Sequence, residues 1–109
     1  MDRRIEAAIE MMNRDSRQNL PVRDIASSVH LSRWRFIHLF KRETSFTPKQ
    51  YMLRMRMGRA ERLLQDSFLS IKEIAAEAGF SDASHFSREC KRYWGASPSE
   101  IRERRKLAG

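Results

Sequence analysis

The 109-residue sequence predicts an all-α fold of about seven helices, in which two helix-turn-helix units are joined by a long central helix. Apolar residues recur at the three- and four-residue spacing of amphipathic helices, and no run alternates as a β-strand does. Residues that typically begin or end helices separate these segments. A pattern of short helix, turn and second helix also occurs twice.

Three helices are predicted in the first part of the chain. The apolar stripe of the first consists of Ile5, Ala8, Ile9 and Met12. The polar run 13–21 ends it, and a second helix is expected over about 21–29 with Pro21 in its first turn. The third is expected over about 32–43, with Ser32 as its N-cap.

A long fourth helix is predicted over about 48–66, with Thr47 as N-cap and Pro48 at the first position. Its apolar side consists of Leu53, Met57, Ala60, Leu63 and Leu64. Its arginines are expected to form mostly a solvated face, with Arg56 paired to an acid inside the domain. They are Arg54, Arg56, Arg59 and Arg62.

Three shorter helices complete the prediction. Ser70 caps the fifth, and Gly79 closes it at the position after the C-cap. The sixth is expected over about 82–94 and ends at Gly95, and Ser97 caps the seventh.

An internal repeat defines the domain organisation. The stretch "LPVRDIASSVHLS" at 20–32 lines up with "LSIKEIAAEAGFS" at 69–81. After one extra residue in the second copy, four residues recur 50 positions later: Phe36, Lys41, Arg42 and Pro48. We therefore divide the domain, 1–109, into a first helix-turn-helix unit at about 5–46, a linking helix at 47–67 and a second unit at 68–106.

Composition and charge limit the kinds of partner and functional site that the chain can have. The net charge of +8 and isoelectric point near 10.5 favour a polyanionic partner. A solvated charged surface is the alternative, but the excess begins at the third helix, since residues 32–66 hold nine Lys or Arg against three acids. The single cysteine excludes an internal disulfide and a multi-cysteine zinc site. No membrane-spanning run or signal peptide is recognised, so a reducing cytoplasm is the expected compartment.

The third helix has two different faces. The stripe expected to pack in the core consists of Phe36, Leu39 and Phe40. The outward face consists of Trp34, Ile37, His38 and Lys41. Because the second helix of a helix-turn-helix fits the major groove of DNA, about 12 Å wide, we predict that this face contacts bases. In the second copy, Phe86 and Cys90 point inward and the outward residues are Ser84, Ser87, Arg88 and Lys91.

The length of the predicted linking helix is also compatible with the spacing of major grooves on DNA. A straight 19-residue helix is roughly 28 Å long, and major grooves on one side of a duplex repeat every 34 Å or so. A rigid linker of that order is compatible with two recognition helices in adjacent grooves.

The stretch "IAAEAGFSDASHFSRECKRYWGASPSEIR" (74–102) resembles the signature of the AraC/XylS family of bacterial transcription regulators. "IASSVHLSRWRFIHLFKRET" and "YMLRMRMGRAERLL" resemble the family's first helix-turn-helix and linking helix, so the likeness covers about residues 5–105. It implies a homeodomain-like tandem that binds an asymmetric DNA site as an isolated, monomeric domain. It also implies transcription regulation, here expected to be activation, with RNA polymerase as a second partner.

The resemblance also implies which residues meet bases. They are Trp34, Ile37, His38, Ala83, Ser84, Ser87 and Arg88. Arg88 is the sharpest specificity candidate because a guanidinium can bond guanine O6 and N7 together, and His38 is expected as a base-edge donor. Phosphate contacts are expected from Arg33, Arg35, Lys41, Arg42 and Lys91. The alternatives are a phosphate-bound Arg88, a Trp34 packed on the first helix and a merely solvated His38.

The sequence departs from the family pattern at four positions. His30 and Ser45 stand where turn glycines are usual, and histidine tolerates a left-handed backbone better than most residues. Cys90 replaces a core phenylalanine and Ile101 a tyrosine, which predicts smaller, less polar packing in the second unit.

Other functions are less well supported. No catalytic constellation, glycine-rich phosphate loop, cofactor motif or metal-ligand set is recognised, so we expect no enzyme, cofactor or metal. Related alkyl-accepting DNA-repair proteins use a reactive zinc-bound cysteine, but Cys90 falls on an inward stripe and is expected to be a core residue. A basic module that binds an acidic protein partner is the remaining alternative.

Overall fold

The structure, a computed structural model, describes the backbone of residues 1–14 and 20–108 and the side chains of residues 1–14 and 20–104. Its helices are α1 (Arg3–Arg14), α2 (Val22–Ser28), α3 (Arg33–Thr44), α4 (Pro48–Asp66), α5 (Ile71–Glu77), α6 (Ala83–Trp94) and α7 (Pro98–Ala108). The described residues contain no strand, which confirms the all-α expectation. Of the polar break predicted at 13–21, residues 15–19 lie outside the described residues. None of the described helices is long and apolar enough to cross a membrane.

The chain divides into two compact units, Met1–Met55 and Arg56–Gly109, and α4 contributes residues to both. The first unit is built on α1, α2 and α3, which pack against one another. In the second unit, α6 packs against α5 and α7.

The aromatic stripe of α3 anchors the core of the first unit. Phe36 and Phe40 are fully buried with ring centroids 5.5 Å apart, and Phe40 meets Tyr51 of α4 edge to face at 5.3 Å. Burying one phenylalanine contributes about 1.5–3 kcal/mol, so this stripe fixes the orientation of α3. The other buried residues of this core are Ile5, Ala8, Met12, Val22, Ile25, Ala26 and Val29. Ile9 and Leu39, predicted on the inward stripes, are half-buried.

The core of the second unit repeats this arrangement with smaller side chains. Phe86 of α6 is fully buried beside Phe80, with centroids 5.0 Å apart, and Cys90 lies one turn further along the same stripe. The remaining buried residues are Met57, Ala60, Leu64, Ile74, Ala75, Ala78, Gly79, Ala96 and Pro98. Leu63 of the predicted apolar side of α4 is half-buried, as is Leu53 in the first unit.

Side-chain caps set most helix starts where the sequence predicts them. Ser70 and Glu73 form a capping box at α5, since the Ser70 hydroxyl accepts from the Glu73 N–H at 3.0 Å and a Glu73 carboxylate oxygen accepts from the Ser70 N–H at 3.0 Å. Thr47 and Gln50 make the same exchange at α4. Ser97 accepts from the Glu100 N–H at 3.2 Å and caps α7.

The start of α2 differs from the prediction. Pro21 lies before the helix as its N-cap rather than in its first turn, and α2 begins at Val22. Proline has no side-chain acceptor, so its backbone carbonyl instead accepts hydrogen bonds from the N–H groups of Asp24 and Ile25, at 3.0 and 3.2 Å. The helix is also shorter than expected, since it ends at Ser28.

Four residues adopt the left-handed backbone that closes these helices. His30 (φ 61°) and Gly79 (φ 88°) occupy matching turns in the two units, and Ser45 (φ 72°) and Gly95 (φ 77°) end α3 and α6. The expected left-handed turn at His30 is confirmed. A side chain at these angles is strained, so the first unit carries two strained positions where the second has glycines.

Two arginines of α4, Arg56 and Arg59, are half-buried. The sequence predicts this position inside the domain for Arg56, whereas Arg59 differs from the predicted solvated face. Arg59 donates to the backbone oxygen of Glu77 at 3.1 Å and pairs with its carboxylate at 3.4 Å. Burial lowers the pKa of the Arg56 guanidinium, and the negative charge of Glu89 opposes that shift. Glu89 thus influences Arg56 through its charge, but the described residues contain no ion pair between the two, so the expected pairing does not form. Packing in the second unit explains why this face is not fully solvated.

Candidate nucleic-acid interface

The helix α3 presents most of its predicted contact residues to solvent. Ser32 caps it by accepting a hydrogen bond from the Arg35 N–H at 3.2 Å, and the buried aromatic stripe turns the opposite side outward. Six of the seven residues on this helix that are predicted to contact DNA are exposed: Arg33, Trp34, Arg35, His38, Lys41 and Arg42. Trp34 is 67% exposed, which excludes its full burial on α1.

Ile37 differs from its neighbours on that face. It is half-buried and packs against the core of the first unit. Only part of its apolar side chain is therefore available to a ligand. A contact made by that part is restricted to van der Waals packing, for example on a thymine methyl group.

Trp34 and His38 form one aromatic pair on the exposed face. Their ring centroids lie 3.9 Å apart at an interplanar angle of 27°, a stacked arrangement. The Nδ1 atom of His38 also lies 2.8 Å from the backbone oxygen of Trp34, one turn earlier. The two contacts fix the imidazole against α3.

A basic cleft adjoins this aromatic pair within the first unit. Its lining residues are Arg4, Leu31, Trp34, Arg35, His38, Leu39 and Arg42. Arg35 and Arg42 come from the exposed side of α3, whereas Arg4 comes from α1. Three guanidinium groups around one concave surface favour an anionic ligand such as a phosphate.

Two contacts hold the start of α1 against α3 and thereby position Arg4 at this cleft. Its guanidinium pairs with Asp2 at 3.0 Å, and this hydrogen bond lowers the pKa of the Asp2 carboxyl. The Asp2 N–H in turn donates to Glu43 of α3 at 2.7 Å. The sequence does not identify Arg4 as a contact residue, because nothing local to residues 1–14 indicates which helix they pack against.

The helix α6 carries the predicted residues of the second unit. Asp82 caps it by accepting a hydrogen bond from the His85 N–H at 2.7 Å. The buried pair Phe86 and Cys90 again turns the other side outward. The predicted residues that are exposed on it are Ser84, Arg88 and Lys91, and those that are half-buried are Ala83 and Ser87.

The guanidinium of Arg88 is available for a ligand. Within the described part of the chain it takes part in no ion pair or side-chain hydrogen bond, whereas Arg92 on the same helix pairs with Glu89 at 3.5 Å. An exposed arginine that is not already paired loses no protein contact when it binds a base edge or a phosphate. The geometry is compatible with either ligand.

Cys90 lies on the inward side of α6 with no exposed surface, as predicted. Burial, with a smaller contribution from the negative charge of Glu89, raises the pKa of its thiol to about 12. The thiolate is the reactive form, so this environment disfavours nucleophilic chemistry and metal ligation at neutral pH. Among residues 1–14 and 20–104, no group of three or more His, Cys, Asp or Glu is placed to hold a metal ion.

Comparison with known proteins identifies relatives of both the sequence and the fold. A family model described as a helix-turn-helix domain matches residues 25–104. The Msm operon regulatory protein of Streptococcus mutans is 42% identical over 85 residues, which cover 78% of this chain and 31% of that protein. The chain thus spans about a third of the length of this curated relative, which is by its name a regulatory protein.

Solved structures share the whole architecture. An AraC-type DNA-binding domain-containing regulator from Chromobacterium violaceum is 33% identical, with a TM-score of 0.85 over 97% of this chain and 95% of that one. The DNA-binding domain of the global transcriptional factor AdpA, solved with a target DNA, has a TM-score of 0.90 at 24% identity and covers 95% and 94% of the two chains. At 24% identity, the similarity to this second structure supports a shared fold only.

Proposed function

Since the chain belongs to the AraC/XylS family of helix-turn-helix transcription regulators, we propose that it binds double-stranded DNA sequence-specifically and thereby regulates bacterial transcription, as an activator. The recognition helices are α3 and α6, each inserted into a major groove. The function is binding without catalysis and needs no cofactor.

One observation carries this proposal: the second helix of each helix-turn-helix is anchored by two buried side chains, which are phenylalanines or a cysteine, and presents a polar, basic side to solvent. In α3 the anchors are Phe36 and Phe40, and in α6 they are Phe86 and Cys90. A helix held in this way can enter a groove about 12 Å wide without losing its own packing. The net charge of +8 supplies the long-range attraction to DNA.

The exposed residues divide into two proposed roles. Base contacts come from Trp34, Ile37 and His38 in the first unit and from Ala83, Ser84, Ser87 and Arg88 in the second. Phosphate contacts come from Arg33, Lys41 and Lys91, joined by the arginines of the basic cleft, Arg4, Arg35 and Arg42. Phosphate contacts fix the register of the helix on DNA, and base contacts supply the sequence preference.

We further propose that the two recognition helices differ enough to require an asymmetric site. Their outward residues share Lys41 and Lys91 at matching positions, but Trp34 and His38 correspond to Ser84 and Arg88. A single chain therefore presents two different sets of side chains to two adjacent grooves and needs no symmetric partner. RNA polymerase is the proposed protein partner at the promoter, and the bacterial cytoplasm, at the nucleoid, is the proposed site of action.

The decisive experiment is selection from a random duplex library at near-physiological salt, followed by sequencing of the bound pool. Two short elements in fixed order, separated by about one helical turn of 10 base pairs, are the expected result. A single enriched element would assign base recognition to one unit alone. An unenriched pool would overturn the proposal and favour the alternative of a basic module for an acidic protein.

A further inference from the structure

The hydrogen bond between His38 and Trp34 determines which ring nitrogen carries the proton. His38 Nδ1 lies 2.8 Å from the backbone oxygen of Trp34. A carbonyl oxygen can only accept, so Nδ1 must be the donor and must hold a hydrogen. In the neutral imidazole only one nitrogen is protonated, and Nε2 is therefore left with a free lone pair.

We infer that neutral His38 reads DNA as a hydrogen-bond acceptor, through Nε2, and that it prefers a base with an amino group in the major groove. This inference rests on the proposed function. Cytosine presents only its N4 amino donor there, whereas guanine presents only the N7 and O6 acceptors. Cytosine is thus favoured over guanine at the contacted position, which is the opposite of the donor role that the sequence alone predicts.

Protonation reverses this preference. A doubly protonated imidazolium keeps its Nδ1 bond to Trp34 and turns Nε2 into a donor. The same atom at the same place then matches guanine and opposes cytosine. His38 is in this way a specificity residue whose preferred base depends on pH.

The stacked ring of Trp34 fixes the orientation of the His38 imidazole. The ring centroids are 3.9 Å apart at 27°, so rotation of the imidazole by half a turn would break the Nδ1 bond, and a different rotamer would break the stack. Both contacts come from residues on α3, which the buried Phe36 and Phe40 hold in place. The direction of Nε2 is therefore set before DNA arrives.

The charged groups around His38 do not confound this switch. Those that face the same cleft are Arg35 and Arg42 on α3 and Arg4 on α1, the last paired with Asp2. Arginine stays protonated across the physiological range, and its contact with Arg4 lowers the pKa of Asp2 further below that range. Lys41 lies on the same helix and is exposed. Between pH 5.5 and 8, histidine is the side-chain type that changes charge.

The test is library selection at pH 8.0 and pH 5.5 with the wild-type chain, His38→Ala and His38→Arg. His38→Ala identifies the base pair that His38 contacts, as the position whose preference disappears. At that position the wild-type cytosine-to-guanine ratio should fall by roughly fivefold or more on acidification, the equivalent of one net hydrogen bond. His38→Arg, a permanent donor, should favour guanine at both pH values.

Two other histidines supply matched controls. His30→Gly preserves the left-handed turn, and His85→Gln removes the imidazole of α6, whose Nδ1 instead accepts from the Ser81 N–H at 3.5 Å. Both variants should retain the pH response of the wild-type chain. Circular dichroism at both pH values verifies that each variant is folded.

The outcomes separate this inference from the proposed function. A wild-type preference for guanine at pH 8.0, an unchanged ratio at pH 5.5, or no effect of His38→Ala would overturn the acceptor role and leave sequence-specific binding intact. A pool without any enriched sequence would overturn the proposed function and this inference with it.

Discussion

Arg88 and Lys41 are exposed cations on the two recognition helices, yet they should affect DNA binding differently. The planar fork of Arg88 can bond both acceptors of one guanine, so Arg88→Ala should remove about 1–3 kcal/mol of discrimination at a single base pair. Lys41 is a flexible point charge suited to phosphate. Lys41→Ala should weaken binding to all duplexes alike and reduce the salt slope by about 1.

Fluorescence anisotropy with the selected duplex and its single-base-pair variants measures both effects. Lys49→Ala, an exposed lysine at the start of α4 outside the recognition helices, is the control for loss of one positive charge. Equal weakening of every duplex by Arg88→Ala would assign Arg88 to the phosphate backbone.

Cys90 is expected to be unreactive as long as α6 stays packed. With the pKa of its thiol at about 12, only about one thiol in ten thousand is ionised at pH 8. Alkylation by iodoacetamide at pH 8 should therefore be at least roughly a hundredfold slower in the native protein than in denaturant. Native and denatured rates within a factor of two would instead indicate an accessible thiolate and revive the alkyl-acceptor alternative.

The same buried thiol gives stability a defined pH dependence. Its folded pKa is raised, so the unfolded chain ionises first and the stability present below about pH 8.5 is progressively lost as the pH rises toward 12. Cys90→Ala removes this group. The difference in unfolding free energy between the two proteins should therefore shift in favour of Cys90→Ala above pH 9.

At the scale of the helix, the C-caps of α3 and α6 differ in one respect, since the first is a serine and the second a glycine. Ser45 and Gly95 both adopt a left-handed backbone and donate to the oxygen of Lys41 or Lys91, at 2.8 and 3.0 Å. Ser45→Gly should stabilise the protein by about 0.5–1 kcal/mol, and Gly95→Ser should destabilise it by about 1 kcal/mol. A Cβ at Gly95 meets nothing within 4 Å, so the cost is backbone strain and not a clash.

Urea unfolding followed by circular dichroism measures both changes. The midpoints should move in opposite directions with an unchanged slope. A loss of stability in Ser45→Gly would mean that its hydroxyl contributes more than the strain costs.

The helix boundaries could be predicted from sequence because capping is local. Ser32, Thr47, Ser70 and Ser97 each bond a backbone N–H three residues later, so the residue type and spacing already contain the interaction. Pro21 was misplaced by one position because proline is compatible with both the N-cap and the first turn.

The candidate site could be predicted only in part, because its remaining features depend on packing. Helical spacing identifies the outward residues of α3 but does not distinguish the half-buried Ile37 from the exposed Trp34. Arg4 reaches the basic cleft only because α1 packs against α3. The spacing of Trp34 and His38 allows a contact between them, but which nitrogen of the imidazole meets the carbonyl is a matter of three-dimensional geometry.

For the whole molecule, the excess of positive charge is concentrated where the recognition helices meet solvent. The six proposed phosphate contacts are Arg4 on α1, Arg33, Arg35, Lys41 and Arg42 on α3, and Lys91 on α6. Five therefore lie in the first unit and one in the second. If each neutralises one phosphate, the two units contribute unequally to the electrostatic part of binding.

The salt dependence of binding therefore reports how many units engage one duplex. Each neutralised phosphate contributes about −0.9 to the slope of log K against log salt, so six contacts predict a slope of about −5 and a roughly thousandfold loss of affinity between 50 and 200 mM salt. Engagement of the first unit alone predicts about −4.5, and of the second unit alone about −0.9. A scrambled duplex of equal length should give a parallel line of lower affinity, because phosphate contacts are common to all sequences and base contacts are not. A slope shallower than about −0.5 for both duplexes would show that phosphate neutralisation is not the source of affinity, and would overturn the role proposed for the basic sides of α3 and α6.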